Sequence, residues 1–263
     1  MIAEKDFAGR QTCGARSLQE DAYAFSELAD AAGKVEGLLL VVADGMGGHN
    51  AGERASETAV KSFVTAFHAA AGDPAKRMRN SLTAANEAIA EELRREPDCQ
   101  GMGTTLLAVS VTPAGVEWIS VGDSPLYLWR GATLTRLNAD HSLRPVLSEM
   151  AKRGEIPVAS TARQGSGNML RAALTGEEIA LIDQSRTPVR LERQVVILAA
   201  TDGIHTLTDR EIMAACGEPM ASASVLAGNL LRAIQEVQNP KQDNTTIAIV
   251  KAASADDALV LPL

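Results

Sequence analysis

A short apolar run that ends abruptly in an acid and three glycines constrains this chain more than any other feature. Residues 38–42 are apolar and partly β-branched, which predicts a buried strand. Asp44 follows, with Gly45, Gly47 and Gly48 behind it. A carboxylate at the end of a buried strand is costly unless something neutralises it. Two interpretations stay open from this stretch: Asp44 caps a turn that the glycines bend, or Asp44 and the Gly45 carbonyl bind a cation.

The pattern of an acid at or near a strand end recurs along the chain. The further acids at such positions are Asp21 with its neighbour Glu20, Asp123, Asp202 and Asp243. Several strand ends can converge on one edge of a sheet, where carboxylates without cations repel one another and some stay protonated. Hard divalent cations such as Mg²⁺ or Mn²⁺ resolve this repulsion, and the sequence has no His/Cys cluster that would suit zinc.

Charge and cysteine content narrow the partners and the compartment. The 25 basic and 33 acidic residues give a net charge of −8, which argues against nucleic acid or an anionic membrane as the main partner. Cys13, Cys99 and Cys216 show no pairing pattern and fit a reducing cytosol. No apolar run reaches the length of a membrane span. We therefore expect a soluble cytoplasmic protein with no nucleic-acid partner and no membrane insertion.

Periodicity predicts helices and strands in one domain, without repeats or linkers. The predicted elements are helices over 51–70 and 74–93, four strands of an antiparallel meander over 104–137, a helix ending near Lys152, a strand over 194–200, a helix over 219–237 and a last strand over 247–250. Asp73 is the predicted N-cap of the second helix. We predict one domain over residues 1–252 and a loosely held tail over 253–263.

Eight short motifs follow one another between residues 16 and 246. They are Arg16-x-x-x-Glu20-Asp21, Ala43-Asp44-Gly45-Met46-Gly47-Gly48-His49, Gly103-Thr104-Thr105, Val121-Gly122-Asp123-Ser124, Asp140-His141-Ser142, Leu170-Arg171-Ala172-Ala173-Leu174, Thr201-Asp202-Gly203 and Asp243-Asn244-Thr245-Thr246. In order and spacing they resemble the metal-dependent Ser/Thr protein phosphatases of the type 2C (PPM) class, and the form Asp-Gly-Met-Gly-Gly-His resembles its bacterial branch.

This resemblance implies an α+β fold, a four-layer α-β-β-α sandwich of two antiparallel sheets with helices outside both. It implies a metal-dependent phosphoprotein phosphatase that hydrolyses phosphoserine and phosphothreonine by attack of a metal-bridging water on phosphorus. The expected cofactors are two Mn²⁺ or Mg²⁺ ions per chain, with a third, weaker site. The expected partners are phosphorylated proteins, opposite a Ser/Thr kinase, and a monomer is expected.

The resemblance also assigns residue roles. Asp44 bridges both metals and, with Asp202 and Asp243, forms the catalytic set. The Gly45 carbonyl and Asp21, with Glu20 through water, serve one metal, whereas Asp202 and Asp243 serve the other. Asp123, with Asp202, matches the third metal position. Arg16 matches the residue that holds the substrate phosphate, and residues 142–170 match the flap that shapes access.

Some positions depart from the family pattern, and alternatives remain. Pro125 stands where Gly-Asp-Ser is usually followed by Arg, which removes a charge near the third metal position. Met46 stands where some members carry a histidine and cannot act as a general acid; His49 and His141 are expected to be structural. Arg16 could instead form only a surface ion pair with Glu20. The alternative functions are a small-molecule phosphomonoesterase of the same fold and a pseudophosphatase that serves as a regulatory binding module.

Overall fold

The structure, a computed structural model, describes residues 1–29, 32–48, 51–157, 167–191, 195–217 and 221–252. The strands are β1 (Phe7–Thr12), β2 (Asp21–Ala29), β3 (Val35–Met46), β4 (Gly103–Thr104), β5 (Leu106–Thr112), β6 (Gly115–Val121), β7 (Leu126–Arg130), β8 (Thr133–Arg136), β9 (Asp183–Gln184), β10 (Val195–Ala200) and β11 (Thr245–Ala252). The helices are α1 (Ala51–Ala69), α2 (Pro74–Arg95), α3 (Arg144–Lys152), α4 (Asp209–Cys216) and α5 (Ala223–Glu236), with short 3₁₀ helices at Pro97–Cys99 and Asp202–Thr206.

The strands form two sheets. The first has the order β1-β11-β10-β7-β8, and the second has the order β2-β3-β5-β6-β9 with β4 paired to β3. The pairings between these strands are antiparallel. Alternate residues of the two sheets pack face to face in one core, whereas α1 and α2 cover the outside of the second sheet and α4 and α5 cover the outside of the first. The four-layer α-β-β-α sandwich expected from the resemblance is confirmed.

Strand β3 explains the uninterrupted apolar run that opened the sequence analysis. Leu38, Leu40 and Val42 pack between the two sheets. Leu39 and Val41, on the opposite face, pack against α1 and α2. A strand buried on both faces loses the alternation of polar and apolar residues that marks a half-exposed strand. Its apolar run therefore ends only where the strand reaches the edge of the core, close to Asp44.

The predicted antiparallel meander over residues 104–137 is wrong in its middle. Strands β5 and β6 pair in the second sheet, and β7 and β8 pair in the first, so the chain crosses between the sheets after Val121. Gly122 starts this crossing with φ +104°, a conformation that L-residues with a side chain rarely adopt. Periodicity could not show this, because strands of either sheet have the same pattern. The crossing carries Asp123 to the end of the sandwich where Asp44 lies.

Most helix boundaries agree with the sequence predictions. The side chain of Asp73 accepts a hydrogen bond from the Lys76 N–H at 3.0 Å, which confirms the predicted N-cap. Helix α3 ends at Lys152, as predicted. Helix α5 begins at Ala223 after the N-cap Ser222, so the start predicted near residue 219 is wrong by four residues. The predicted tail over 253–263 lies outside the described residues, and the division into one domain and a tail stays a prediction.

Candidate active site

Asp21 and Asp44 stand side by side at the end of the second sheet. They are directly paired in the antiparallel register of β2 and β3. Opposite residues of such a pair project from the same face, with Cβ atoms roughly 5 Å apart. Asp21 is buried, with 6% of its surface exposed, and Asp44 is partly exposed to a cleft. The pairing of these two strands therefore brings two carboxylates next to each other.

Three further acids reach the same cleft from different elements. Asp202 begins the 3₁₀ helix directly after β10, Asp243 lies two residues before β11, and Asp123 lies in the crossing between the sheets. With Asp44 and Glu20 they line one cleft of about 780 Å³. Because these strand ends meet at one end of the sandwich, acids that are far apart in sequence converge there. Asp21 lies beside Asp44 in the strand register but is not among the residues that line the cleft, and the assignment of these acids to a metal site stays a prediction.

Glycines allow the backbone to close in around these acids. A Cβ atom on Gly45 would overlap the carbonyl oxygen of Gly52 at the start of α1 and lie 2.6 Å from the Glu20 carbonyl oxygen. A Cβ atom on Gly203 would overlap the Thr245 hydroxyl and the Asn244 carbonyl. Each glycine directly follows a cleft acid. Their role is close approach of main chain to main chain, because neither has a positive φ.

Burial and mutual repulsion make the ionised form of these carboxylates unfavourable unless a positive charge neutralises it. Desolvation, and then repulsion from Asp21 and Asp202, raise the pKa of Asp44 well above its usual value. Desolvation raises the pKa of Asp21 to about 7 against two hydroxyl hydrogen bonds that lower it. Desolvation, followed by repulsion from Asp202, also raises the pKa of Asp123 to about 7. A charge arrangement of this kind favours binding of cations or protons.

One buried oxygen in the cluster fits a hard cation. Oδ2 of Asp21 accepts hydrogen bonds from the hydroxyls of Thr201 and Thr246, each at 2.8 Å. Oδ1 of the same carboxylate is buried and has no hydrogen-bond partner among the described residues. Buried carboxylate oxygens are almost always paired, so an orphan next to Asp44 needs a ligand. The described residues that line the cleft offer oxygen donors and no His or Cys, which suits Mg²⁺ or Mn²⁺.

The acidic side chains share one end of the sandwich, but their carboxylates do not converge on a single position where one ion could bind. Within the described residues, no three acidic, His or Cys side chains already stand close enough together to hold an ion. Two arginines account for part of this separation. Oδ2 of Asp243 accepts from Arg16 at 2.6 Å, and Oδ2 of Asp123 accepts from Arg144 at 2.9 Å. Mutual repulsion of the remaining carboxylates acts in the same direction. A cation would remove this repulsion, so the separation of the acids is compatible with the cation ligand that the orphaned oxygen of Asp21 indicates.

Arg16 lies in the cleft, but its partner differs from the one considered in the sequence analysis. Its guanidinium pairs with Asp243 rather than with Glu20. Both members of this pair are exposed, at 53% for Arg16 and 41% for Asp243. Glu20 lines the same cleft, and its backbone N–H donates to Asn244 at 2.8 Å. Arg16 is thus placed beside an acid of the cluster.

Neither of the two histidines considered in the sequence analysis is found among the described residues that line the cleft. His141 is buried, and its Nδ1 accepts the Gly122 N–H at 3.2 Å, so it buttresses the turn before Asp123 as expected of a structural histidine. His49 lies outside the described residues. Met46 lines the cleft and offers no titratable proton. Helix α3 and residues 168–170 belong to the segment 142–170 that is expected to be a flap, and residues 168–170 line the cleft. Residues 158–166 of that segment also lie outside the described residues.

Several residues near the site carried no predicted role. Thr201 and Thr246, which fix the Asp21 carboxylate, stand inside two of the motifs, so position in a motif was the available signal. Arg171 lines the cleft with an exposed side chain and has no ion pair among the described residues. Arg144 reaches Asp123 from α3 across 21 positions of sequence, and no local pattern indicated this contact.

Two helix-covered antiparallel sheets with an acid-lined cleft at one end define the architecture of a PPM-type phosphatase. The sequence profile of protein phosphatase 2C matches residues 8–237. The chain belongs to the protein phosphatase 2C family.

Named relatives and solved structures agree with this assignment. Serine/threonine protein phosphatase PstP of Mycobacterium tuberculosis is 29% identical over 227 residues, which make up 86% of this chain and 42% of PstP. This chain thus spans less than half the length of PstP. Serine/threonine phosphatase stp of Listeria welshimeri is 33% identical over 174 residues, 64% of this chain and 67% of the relative.

The fold matches at the level of three-dimensional structure. The crystal structure of the M. tuberculosis phosphatase PstP superposes with a TM-score of 0.75 at 27% identity, covering 93% of this chain and 97% of that one. The catalytic domain of PstP in complex with two manganese ions superposes with a TM-score of 0.73 at 25% identity, covering 94% and 98%. Separately, no helix in the described part of this chain is long and apolar enough to cross a membrane.

Proposed function

We propose that this protein is a metal-dependent phosphoprotein phosphatase that hydrolyses phosphoserine and phosphothreonine. The observation that carries the proposal is the buried Oδ1 of Asp21, which has no hydrogen-bond partner among the described residues and belongs to the carboxylate beside Asp44. Asp44 in turn lines a cleft together with acids from separate strand ends. Such a site needs cations to be stable with its acids ionised. The names of the relatives, serine/threonine protein phosphatases, support the substrate class.

In this proposal Asp21, Asp44, Asp202 and Asp243 hold two Mn²⁺ or Mg²⁺ ions, together with the Gly45 carbonyl and, through water, Glu20. A bound pair of such ions lowers the pKa of a shared water to give the nucleophile and neutralises charge on the phosphoryl group. Thr201 and Thr246 hold Oδ2 of Asp21, which leaves its Oδ1 as the oxygen available to a cation. The solved PstP complex with two manganese ions supports the number of metals.

Arg16 binds the substrate phosphate in this proposal. Its present pair with Asp243 is exposed, and exposed pairs contribute about 0–1 kcal/mol, so phosphate can displace the carboxylate at little cost. A guanidinium can hold two phosphate oxygens at once, a geometry that Lys does not reproduce. Arg171 supplies a second positive charge in the same cleft and has no ion pair among the described residues. These two cations offset the acidic walls for an anionic substrate.

The partners in this proposal are phosphorylated proteins, which places the chain opposite a Ser/Thr kinase. The cleft fits a side chain presented by a larger substrate, because it is open and is rimmed by the exposed residues Arg171 and Met169, the latter 62% exposed. Cytoplasmic location and a monomeric state stay predictions.

The test is steady-state turnover of a phosphothreonine peptide and of p-nitrophenyl phosphate, with Mn²⁺ or with chelator. We expect Mn²⁺-dependent turnover of both. Asp202→Asn and Asp243→Asn should each lower turnover by orders of magnitude, with partial recovery at high Mn²⁺, because each removes a charge from the metal site. Asp98→Asn, an exposed acid outside the cleft, is the matched control and should behave as wild type.

Three outcomes would contradict the proposal. Turnover in chelator alone equal to that with Mn²⁺ would remove the metals from the reaction. Turnover of p-nitrophenyl phosphate without any turnover of phosphopeptides would favour the small-molecule phosphomonoesterase instead. A chain that binds phosphopeptides and Mn²⁺ yet turns over neither substrate would be a pseudophosphatase.

A further inference from the structure

Two aspartates of the cleft already carry a cationic partner, and the two pairs differ in environment. Arg16 and Asp243 are 2.6 Å apart, with 53% and 41% of their side chains exposed. Arg144 and Asp123 are 2.9 Å apart, with 28% and 4% exposed. Water screens the first pair on both sides, whereas the carboxylate of the second is almost fully enclosed.

This difference decides which carboxylate a metal ion can take over. An exposed ion pair is weak, so a divalent cation can draw Asp243 away from Arg16 and leave the guanidinium in water. Removing Arg144 from Asp123 would require a guanidinium to move away from an enclosed carboxylate and its other contacts. Asp243 is therefore available to a metal, whereas Asp123 already has an enclosed cationic partner.

Further contacts hold the Arg144 guanidinium in place. Its Nε donates to Ser142 Oγ at 3.2 Å and lies 3.4 Å from Oδ2 of Asp140. Asp140 in turn pairs with Arg136 at 3.2 Å. Arg136 also donates to the backbone carbonyl of Asp123 at 2.8 Å. Asp123 is thus bracketed by two guanidinium groups, one on its carboxylate and one on its carbonyl.

A metal ion does not fit beside Asp123 in this arrangement. Oδ2 of Asp123 is bonded to Arg144, and a divalent cation placed there would meet the positive charges of Arg144 and Arg136. Arg144 thus brings positive charge to this region from α3.

We infer that Arg144 is a built-in cation at Asp123, so that the cleft holds two divalent ions and Asp123 binds none. Arg144 is a positioning residue: it fixes the Asp123 carboxylate and ties the first residue of α3 to the metal-binding end of the sandwich. The inference builds on the two-ion site of the proposed function. It replaces the third metal position that the sequence resemblance assigned to Asp123.

The test counts Mn²⁺ ions by equilibrium titration, following free Mn²⁺ by electron paramagnetic resonance. We expect two ions per chain in wild type and the same two in Asp123→Asn. Arg144→Met should gain a third, weaker ion, because its Asp123 is unpaired, and the double variant Arg144→Met/Asp123→Asn should lose it again. Arg153→Met is the control, since Arg153 lies just beyond the same helix and pairs with exposed Glu149.

Thermal unfolding gives a second readout. Without metal, Arg144→Met should melt roughly 10 °C below wild type, because it leaves an enclosed carboxylate without its partner. Saturating Mn²⁺ should raise its Tm more than it raises that of wild type or Arg153→Met. A merely structural role for Arg144 would lower the Tm without this larger response to Mn²⁺.

Three ions in wild type, falling to two in Asp123→Asn, would overturn the inference alone. A count of two in Arg144→Met would overturn it as well. A wild-type count of zero would overturn the two-ion site of the proposed function and this inference with it. If Arg144→Met does not fold, the comparison of wild type with Asp123→Asn still decides between two ions and three.

Discussion

The close approach of the Gly45 backbone to the backbones of Gly52 and Glu20 gives a quantitative prediction of stability. Replacing Gly45 with Ala adds one methyl group that would overlap the Gly52 carbonyl oxygen and lie 2.5 Å from its carbon and 2.6 Å from the Glu20 carbonyl oxygen. Ordinary contact with a Cβ atom begins at 3.4 Å. The atoms in the way belong to the backbone of two separate segments, so no side-chain rotation relieves the overlap.

The magnitude follows from that geometry. Overpacking typically costs about 1–3 kcal/mol, and an overlap with two rigid segments falls at the upper end, about 3 kcal/mol. For a chain of this size, 1 kcal/mol shifts Tm by roughly 2–4 °C, so Gly45→Ala should melt about 10 °C below wild type. The Gly45 carbonyl would also move, whereas metal sites tolerate only about 0.2 Å of ligand displacement. Mn²⁺ affinity should therefore fall at least about tenfold, as for other disturbed supports of metal ligands.

The assay is thermal unfolding in chelator, followed by Mn²⁺ titration. Gly48→Ala, three residues further along the chain, is the matched control, because a Cβ atom there meets no described atom within 4 Å and its φ is not positive. It should change the free energy of unfolding by less than about 0.5 kcal/mol. If Gly45→Ala melted and bound Mn²⁺ as Gly48→Ala does, the close approach of β3 to α1 would not be what shapes the site.

The remaining predictions concern pH, substrate binding and helix stability. In chelator, the raised pKa values of Asp21 and Asp123, both about 7, mean that the folded state binds protons more tightly than the unfolded state. The contribution of these protons to stability is therefore full below about pH 4 and is lost as the pH rises through 7, so Tm in chelator should fall over this range. The increase in Tm on adding Mn²⁺ should grow with pH, and a Tm in chelator that does not change with pH would contradict this prediction. Arg16→Ala should raise KM for a phosphothreonine peptide more than it lowers kcat, with Arg16→Lys recovering only part of the loss, whereas kinetics like wild type in both variants would remove Arg16 from the site. Gly228→Ala should stabilise the protein by about 0.5–1 kcal/mol in thermal or denaturant unfolding, because Gly228 lies inside α5 and the added methyl group meets no described atom within 4 Å. A Tm below that of wild type would show that the helix cannot accommodate the methyl group.

Local sequence patterns predicted most elements because each pattern has a local physical cause. Asp73 before Pro74 indicated a helix start, and the structure has that cap. The apolar run of residues 38–42 indicated a buried strand, and β3 is buried on both faces. The same reasoning failed between β6 and β7, where two strands of equal pattern belong to different sheets. Strand periodicity reports which face is apolar, and it carries no information about the sheet that a strand joins.

The candidate site divides in the same way. Acids at strand ends were predictable, since a carboxylate that interrupts an apolar run is visible in the sequence. The partners of those acids were not. Arg16 pairs with Asp243 across 227 positions and Arg144 with Asp123 across 21, and both contacts depend on how separate elements pack. The orphaned oxygen of Asp21 likewise becomes evident only once Thr201 and Thr246 are seen to occupy the other oxygen.

Strand β3 is enclosed by β2 and β5 within its sheet and by other layers on both faces. This enclosure affects the order in which parts of the fold unfold locally. Amide protons of such a strand exchange with solvent only when the whole domain unfolds, whereas less enclosed segments open at lower free energy. Asp44 stands close to the end of this slowly exchanging strand, while Asp243 is held by an exposed arginine. Spontaneous local opening therefore reaches the Asp243 side of the cleft first, and the Asp44 floor persists for as long as the native fold does.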